Sequence, residues 1–124
     1  MIALQATYAQ TTFPDRPVRI IVPFAAGNTL DTSLRIVAEE FKKNTGQPLL
    51  IENKPGGSGI IAAQAVAQAT PDGYTLLLSN TSMFTINPHT FSKLPYDPEK
   101  SFKHITNFLG SAMVLARSHQ CSCQ

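Results

Sequence analysis

At 124 residues and 43% hydrophobic, the chain holds one small domain or a piece of a larger one, with enough apolar content for a core. Net charge is +2 and the ten Lys and Arg are scattered, with no basic stripe interleaved with aromatics, which argues against nucleic acid as a partner. No apolar stretch reaches the ~20 residues of a membrane-spanning helix, and the only cysteines, Cys121 and Cys123, lie at the extreme C-terminus, which excludes a disulfide-stapled body.

Residues 1–12 read as the remnant of a secretory signal or as a disordered extension. Ala6-Thr7-Tyr8-Ala9 has the small-x-small pattern of a cleavage site, but no charged n-region precedes it. Val18-Arg19-Ile20-Ile21-Val22, closed by Pro23, is the β-branched run of a buried parallel strand. Leu30, Leu34, Val37, Ala38 and Phe41 then recur at helical spacing and form one apolar face. Asn28 or Thr29 can cap that helix, Asp31 complements its dipole, Lys42 and Lys43 fall in its last turn, and Gly46 stops it.

Pro48-Leu49-Leu50-Ile51 predicts a second short strand, followed by the glycine-rich loop Gly56-Gly57-Ser58-Gly59. Ile60 to Ala69 is an alanine-rich helix, apolar on most sides and so packed flat on the sheet. Thr70-Pro71-Asp72-Gly73 is a turn, and Tyr74 to Leu78 is the third strand. Beyond Ser79 the pattern loosens. Asn87-Pro88 and Leu94-Pro95-Tyr96-Asp97-Pro98 read as breakers on an exposed segment, Phe102 to Leu109 as a returning strand, and Met113-Val114-Leu115-Ala116 as one more.

Strand–helix–strand–helix–strand with short links is two βαβ units. Right-handed crossovers then give an α/β fold whose parallel βαβαβ sheet has its first strand between the other two. Three loops, Pro23 to Asp31, Glu52 to Gly59 and Ser79 to Ser82, meet at one end of such a sheet. They are rich in Gly, Ser, Thr and Asn and poor in cations. A surface of that kind holds a small anion through main-chain N–H donors rather than salt bridges.

Four stretches, in order, carry a resemblance to a known family: Phe13-Pro14-Asp15-Arg16-Pro17-Val18-Arg19-Ile20-Ile21-Val22-Pro23-Phe24-Ala25-Ala26-Gly27; Gly46-Gln47-Pro48 leading to Glu52-Asn53-Lys54-Pro55-Gly56; Pro71-Asp72-Gly73-Tyr74-Thr75-Leu76-Leu77-Leu78; and Asn87-Pro88 leading to Lys93-Leu94-Pro95-Tyr96-Asp97-Pro98. Together they resemble the Bug-type periplasmic solute-binding receptors of tripartite tricarboxylate transporters. The resemblance implies part of lobe 1 of a two-lobed periplasmic-binding-protein fold of roughly 300 residues. It implies a small carboxylate ligand (a di- or tricarboxylate, an aromatic acid or an acidic amino acid), held between loops of both lobes by main-chain N–H groups and water. The partner it implies is a membrane permease and the location is periplasmic; no cofactor, metal or catalytic residue is expected.

Three departures stand out. Asn28 replaces a second glycine, and because Asn tolerates a left-handed backbone the turn is expected to survive. Ser101-Phe102-Lys103-His104 stands where the family tends to have an acid, Phe, a small residue and Pro. The third departure is length. The expected organisation is therefore 1–12 as signal remnant or extension, 13–116 as partial lobe 1, and 117–124 as a tail outside the family, the ending of a truncated gene or a cloning artefact.

The candidate ligand-binding residues are Phe24, Ala26, Gly27, Asn28 and Asp31 from the first loop, Gly57 and Ser58 from the second, and Asn80, Thr81 and Ser82 from the third. Each has a plainer reading. Phe24 is an apolar wall for a ligand or a core aromatic at a strand end. Asp31 meets a ligand ammonium or serves the helix dipole. Gly56 to Gly59 offers N–H groups to a carboxylate or is a flexible βα turn with close helix–strand packing, and it is neither GxGxxG nor a P-loop. Asn80, Thr81 and Ser82 bind a carboxylate or cap a short helix, and both can hold. His89, His104 and His119 share no catalytic spacing, and His119-Gln120-Cys121-Ser122-Cys123 lacks the four ligands of a zinc site. Two other classes remain open at this point: a nucleotide-binding α/β domain of a small oxidoreductase, and a non-functional truncated remnant.

Overall fold

A computed structural model of the chain describes residues 13–110. The elements run β1 (Val18–Val22), α1 (Thr29–Thr45), β2 (Leu49–Asn53), α2 (Ile60–Ala67), β3 (Thr75–Leu77), α3 (Thr81–Thr85) and α4 (Asn87–Thr90), with a single 3-10 turn at Gly57–Gly59 leading into α2. All strand pairing is parallel and the order is β2-β1-β3, as the two crossovers require. Ile20 lies opposite Ile51 on one side and Leu76 on the other. The central strand is the apolar one, with Val18, Ile21 and Val22 all buried.

The caps of α1 are those the sequence announces. The Asn28 side chain accepts from the Asp31 N–H at 2.7 Å, and Gly46 ends the helix in the left-handed region at φ 74°. Asn28 itself is extended at φ -76°, as an N-cap is, so the tolerance of Asn for a left-handed backbone is not called on; Gly27 before it takes the positive φ. The buried face is narrower than the helical spacing predicts. Leu34 is fully buried, but Val37 is 43% exposed because little of the described chain covers the outer side of α1. α2 lies on the sheet through Ala62 and Ala63, whose small side chains allow close approach. Ala63, Met83 and Tyr96 form a buried cluster, surrounded by Ile60, Leu77, Phe84, Leu94 and Phe102. Gly59 is forced at the start of α2. Its φ is +84°, and a Cβ there would stand 2.7 Å from the Met83 sulfur.

Three expectations are corrected. Asn87-Pro88 starts a helix instead of breaking one, because proline in a first turn forgoes an N–H that has no intrahelical partner. The Leu94–Pro98 stretch is not simply exposed: Tyr96 is buried and its hydroxyl donates to the Met83 carbonyl at 2.8 Å. Phe102 to Leu109 is not a strand. Phe102 stacks edge-on to Phe84 and to Tyr96, each at 5.6 Å, and His104 meets Phe84 at 4.8 Å. Those aromatic contacts draw the segment onto α3 and the buried cluster and away from a ladder with β3. The readings of residues 1–12, of Met113 to Ala116 and of the C-terminal tail lie outside the described residues.

Candidate functional site

Parallel pairing delivers the carboxyl ends of all three strands to one rim. Val22 is level with Asn53, and Ile21 with Leu77. The ladder continues one residue further, with Lys54 N donating to Val22 O at 2.7 Å and Leu78 N to Ile21 O at 3.0 Å. The loops that leave these ends are therefore neighbours.

The first loop folds around Asp31, which is only 2% exposed. Its Oδ2 accepts from Gly27 N and from Arg35 Nε, both at 3.0 Å. Its Oδ1 accepts from Asn53 Nδ2 at 3.2 Å and from Arg35 Nη2 at 3.4 Å. The Gly27 N–H, followed by the Arg35 guanidinium, holds this carboxyl below the usual carboxylate range. Asp31 thus closes the turn that Gly27 and Asn28 make, and a ligand ammonium would have to displace one of these donors. Asn53 donates to the Phe24 carbonyl as well, at 3.1 Å, and so ties the first loop to the end of β2. Asn53 was not among the candidates; its place at the carboxyl end of a strand was the available signal.

The second loop runs through four successive positive φ angles: Gly56 at 121°, Gly57 at 53°, Ser58 at 52° and Gly59 at 84°. Three are glycines. Ser58 is held by a long-range contact, the Asn87 amide donating to its carbonyl at 3.1 Å. In the third loop the Asn80 side chain accepts from Met83 N at 3.2 Å and caps α3, so Thr81 and Ser82 form the first turn of that helix.

A cavity of about 350 Å³ opens between the loops, lined by Pro23, Phe24, Gly56, Ser58, Gly59, Asn80, Ser82 and Met83. Four of the ten candidates, Phe24, Ser58, Asn80 and Ser82, face it. The other six do not line it: Gly27, Asn28 and Asp31 build the first turn, and Ala26, Gly57 and Thr81 are exposed. Phe24 and Met83 supply apolar walls; hydroxyls, an amide and glycine backbone supply the polar ones. Among the described residues, no charged side chain lines the space. Lys54, close by in the second loop, is engaged by Glu52 at 3.0 Å. A larger groove of about 660 Å³ runs along β3, α2 and the Lys100–Thr106 segment, away from the first two loops. The smaller cavity is the candidate site because all three strand ends converge on it.

The family model described as "Tripartite tricarboxylate transporter family receptor" matches residues 33–121. The chain belongs to this receptor family. A UPF0065 protein of Bordetella pertussis is 47% identical over 96 residues, which are 77% of this chain and 29% of that relative. Among solved structures, MatC from Rhodopseudomonas palustris with bound malate superimposes with a TM-score of 0.66 at 43% identity, covering 73% of this chain and 31% of MatC. The periplasmic binding protein BugD gives 0.65 at 40% identity, covering 73% and 30%. The receptors of this family are periplasmic binding proteins, and the small parallel sheet described above is part of their fold. The chain spans about three tenths of the length of the relatives it matches.

Proposed function

We propose that residues 13–116 are part of the first lobe of an extracytoplasmic receptor and form one wall of its site for a small carboxylate. In the longer protein a second lobe closes over the ligand by hinge motion, and the loaded receptor delivers it to a membrane permease. The observation that carries this reading is the convergence of three polar, uncharged loops on one cavity at the carboxyl ends of parallel strands. Family membership and the malate bound by MatC point to the same ligand class. The receptor reading assigns the chain a binding role, with no catalytic step.

One wall makes a weak site. The chain alone is expected to bind dicarboxylates at roughly millimolar Kd or weaker. Adding sodium malate to the 15N-labelled chain should move the amides of residues 26–28, 57–58 and 80–82 in fast exchange. Calorimetry with citrate, succinate, glutamate and benzoate should show no tight binding. Shifts confined to the groove along β3 would overturn the site, and tight stoichiometric binding by the chain alone would overturn the one-wall reading.

A further inference from the structure

We propose that Asn87 is a positioning residue of this site: its buried amide holds Ser58 in the left-handed backbone conformation that turns the second loop toward the third. The consequence for ligand rests on the receptor reading above; the claim about Ser58 does not.

Ser58 is the one non-glycine at positive φ among the described residues. A side chain is disfavoured there because its Cβ crowds the following carbonyl, so an outside contact must over-determine the conformation. Asn87 supplies that contact from 29 residues away, its Nδ2 donating to the Ser58 carbonyl at 3.1 Å. The orientation of the amide is fixed chemically, since a carbonyl accepts only and the nitrogen must face it. Asn87 is 3% exposed, so its donor has no water to turn to if Ser58 leaves.

The same amide lies 3.4 Å from the Tyr96 hydroxyl, which itself donates to the Met83 carbonyl at 2.8 Å. Met83 packs against Gly59, the residue after Ser58. One buried polar chain therefore joins the second loop to α3, whose cap is Asn80. Asn87 does not line the cavity; Ser58, Met83 and Asn80 do. It acts on the site through them.

The test uses the full chain and three variants: Asn87→Leu, which keeps the branched shape and removes the donor, Ser58→Gly, which removes the strain, and the double variant. The readout at Ser58 is the strong intraresidue amide–Hα NOE that a positive φ produces. In the parent this NOE is strong. In Asn87→Leu it is expected to weaken, with amide shifts at residues 56–59 and 80–83 besides those around the substituted residue and Tyr96, α1 undisturbed, and the malate-induced shifts of the loops reduced several-fold. Ser58→Gly added to Asn87→Leu should return the Gly57 and Gly59 amides, and the malate response, to those of the parent. A strong Ser58 NOE retained in Asn87→Leu overturns the proposal, as does a double variant that does not recover. If Asn87→Leu fails to fold, the double variant decides: folding supports the positioning role, and failure assigns Asn87 to the core alone. A parent whose loop amides ignore malate while Ser58 responds as described would overturn malate as a ligand of this wall and leave the role of Asn87 at Ser58 standing.

Discussion

A carboxylate at a loop can meet a ligand or close a turn, and the donors already around it decide which. Asp31 faces the Gly27 N–H, both reaching nitrogens of Arg35 and the Asn53 amide, and it is buried among them. This arrangement has a pH signature with a definite sign. The folded pKa lies below the ordinary aspartate value, so between the two the unfolded chain binds more protons than the folded one. The stabilisation is present in full above the unfolded pKa of about 3.9 and is lost as pH falls through the lower folded value. Asp31→Asn keeps one acceptor but turns an NH₂ group toward donors, so it should be clearly less stable than the parent at pH 7. The gap should narrow progressively below about pH 4 as the parent carboxylate protonates. Urea denaturation of both proteins at pH 7 and pH 3 reads this directly. A gap of the same size at both pH values would mean that the charge on Asp31 contributes nothing to the turn.

The elements meet where side chains are smallest. Gly27 and Gly59 both have positive φ, at 87° and 84°, yet a Cβ at Gly27 would touch nothing within 4 Å while one at Gly59 would strike Met83. Gly27→Ala should therefore cost only the left-handed backbone term, about 1–2 kcal/mol. Gly59→Ala adds the displacement of Met83 between α2 and α3, a further ~1–3 kcal/mol of overpacking. Chemical denaturation of the two variants separates these contributions; equal losses would mean that Met83 shifts freely and that the α2–α3 contact is soft. The same contrast shows what the sequence made legible. Strands and helices declared themselves through local signals: the β-branched run of β1, the helical spacing and caps of α1, the turn before β3. Parallel order followed from the connections, and with it the meeting of the three loops. What stayed hidden depends on contacts between distant residues. Asn53 reaches Asp31 across 22 residues and Asn87 reaches Ser58 across 29, and neither separation leaves a periodic trace. Phe102 belonged to an apolar stretch that reads as a strand, but its partners are Phe84 and Tyr96, and a ring packed on rings has no ladder to join. Asn87-Pro88 is ambiguous for a different reason: a proline follows the end of some helices and sits in the first turn of others, and here it falls in the first turn of α4.

At the scale of the molecule, the distribution of charge sets how the wall meets an anion. The net charge of +2 is spread over the chain, and among the described residues no charged side chain lines the cavity between the loops. The cation in the second loop, Lys54, is already paired with Glu52. Attraction of a dicarboxylate must then come from N–H, amide and hydroxyl dipoles at short range, which mobile ions screen far less than they screen separated charges. The Kd for malate, taken from the loop amide shifts, should accordingly change by no more than about twofold between 50 and 300 mM sodium chloride, a range over which the Debye length shrinks from roughly 14 to 6 Å. A receptor that held its ligand with exposed lysines or arginines would weaken several-fold over the same interval. If this chain weakens that much, and Lys54→Gln removes the dependence, the cation has left Glu52 for the ligand. The wall would then act as a charged clamp and no longer as a neutral cradle of dipoles.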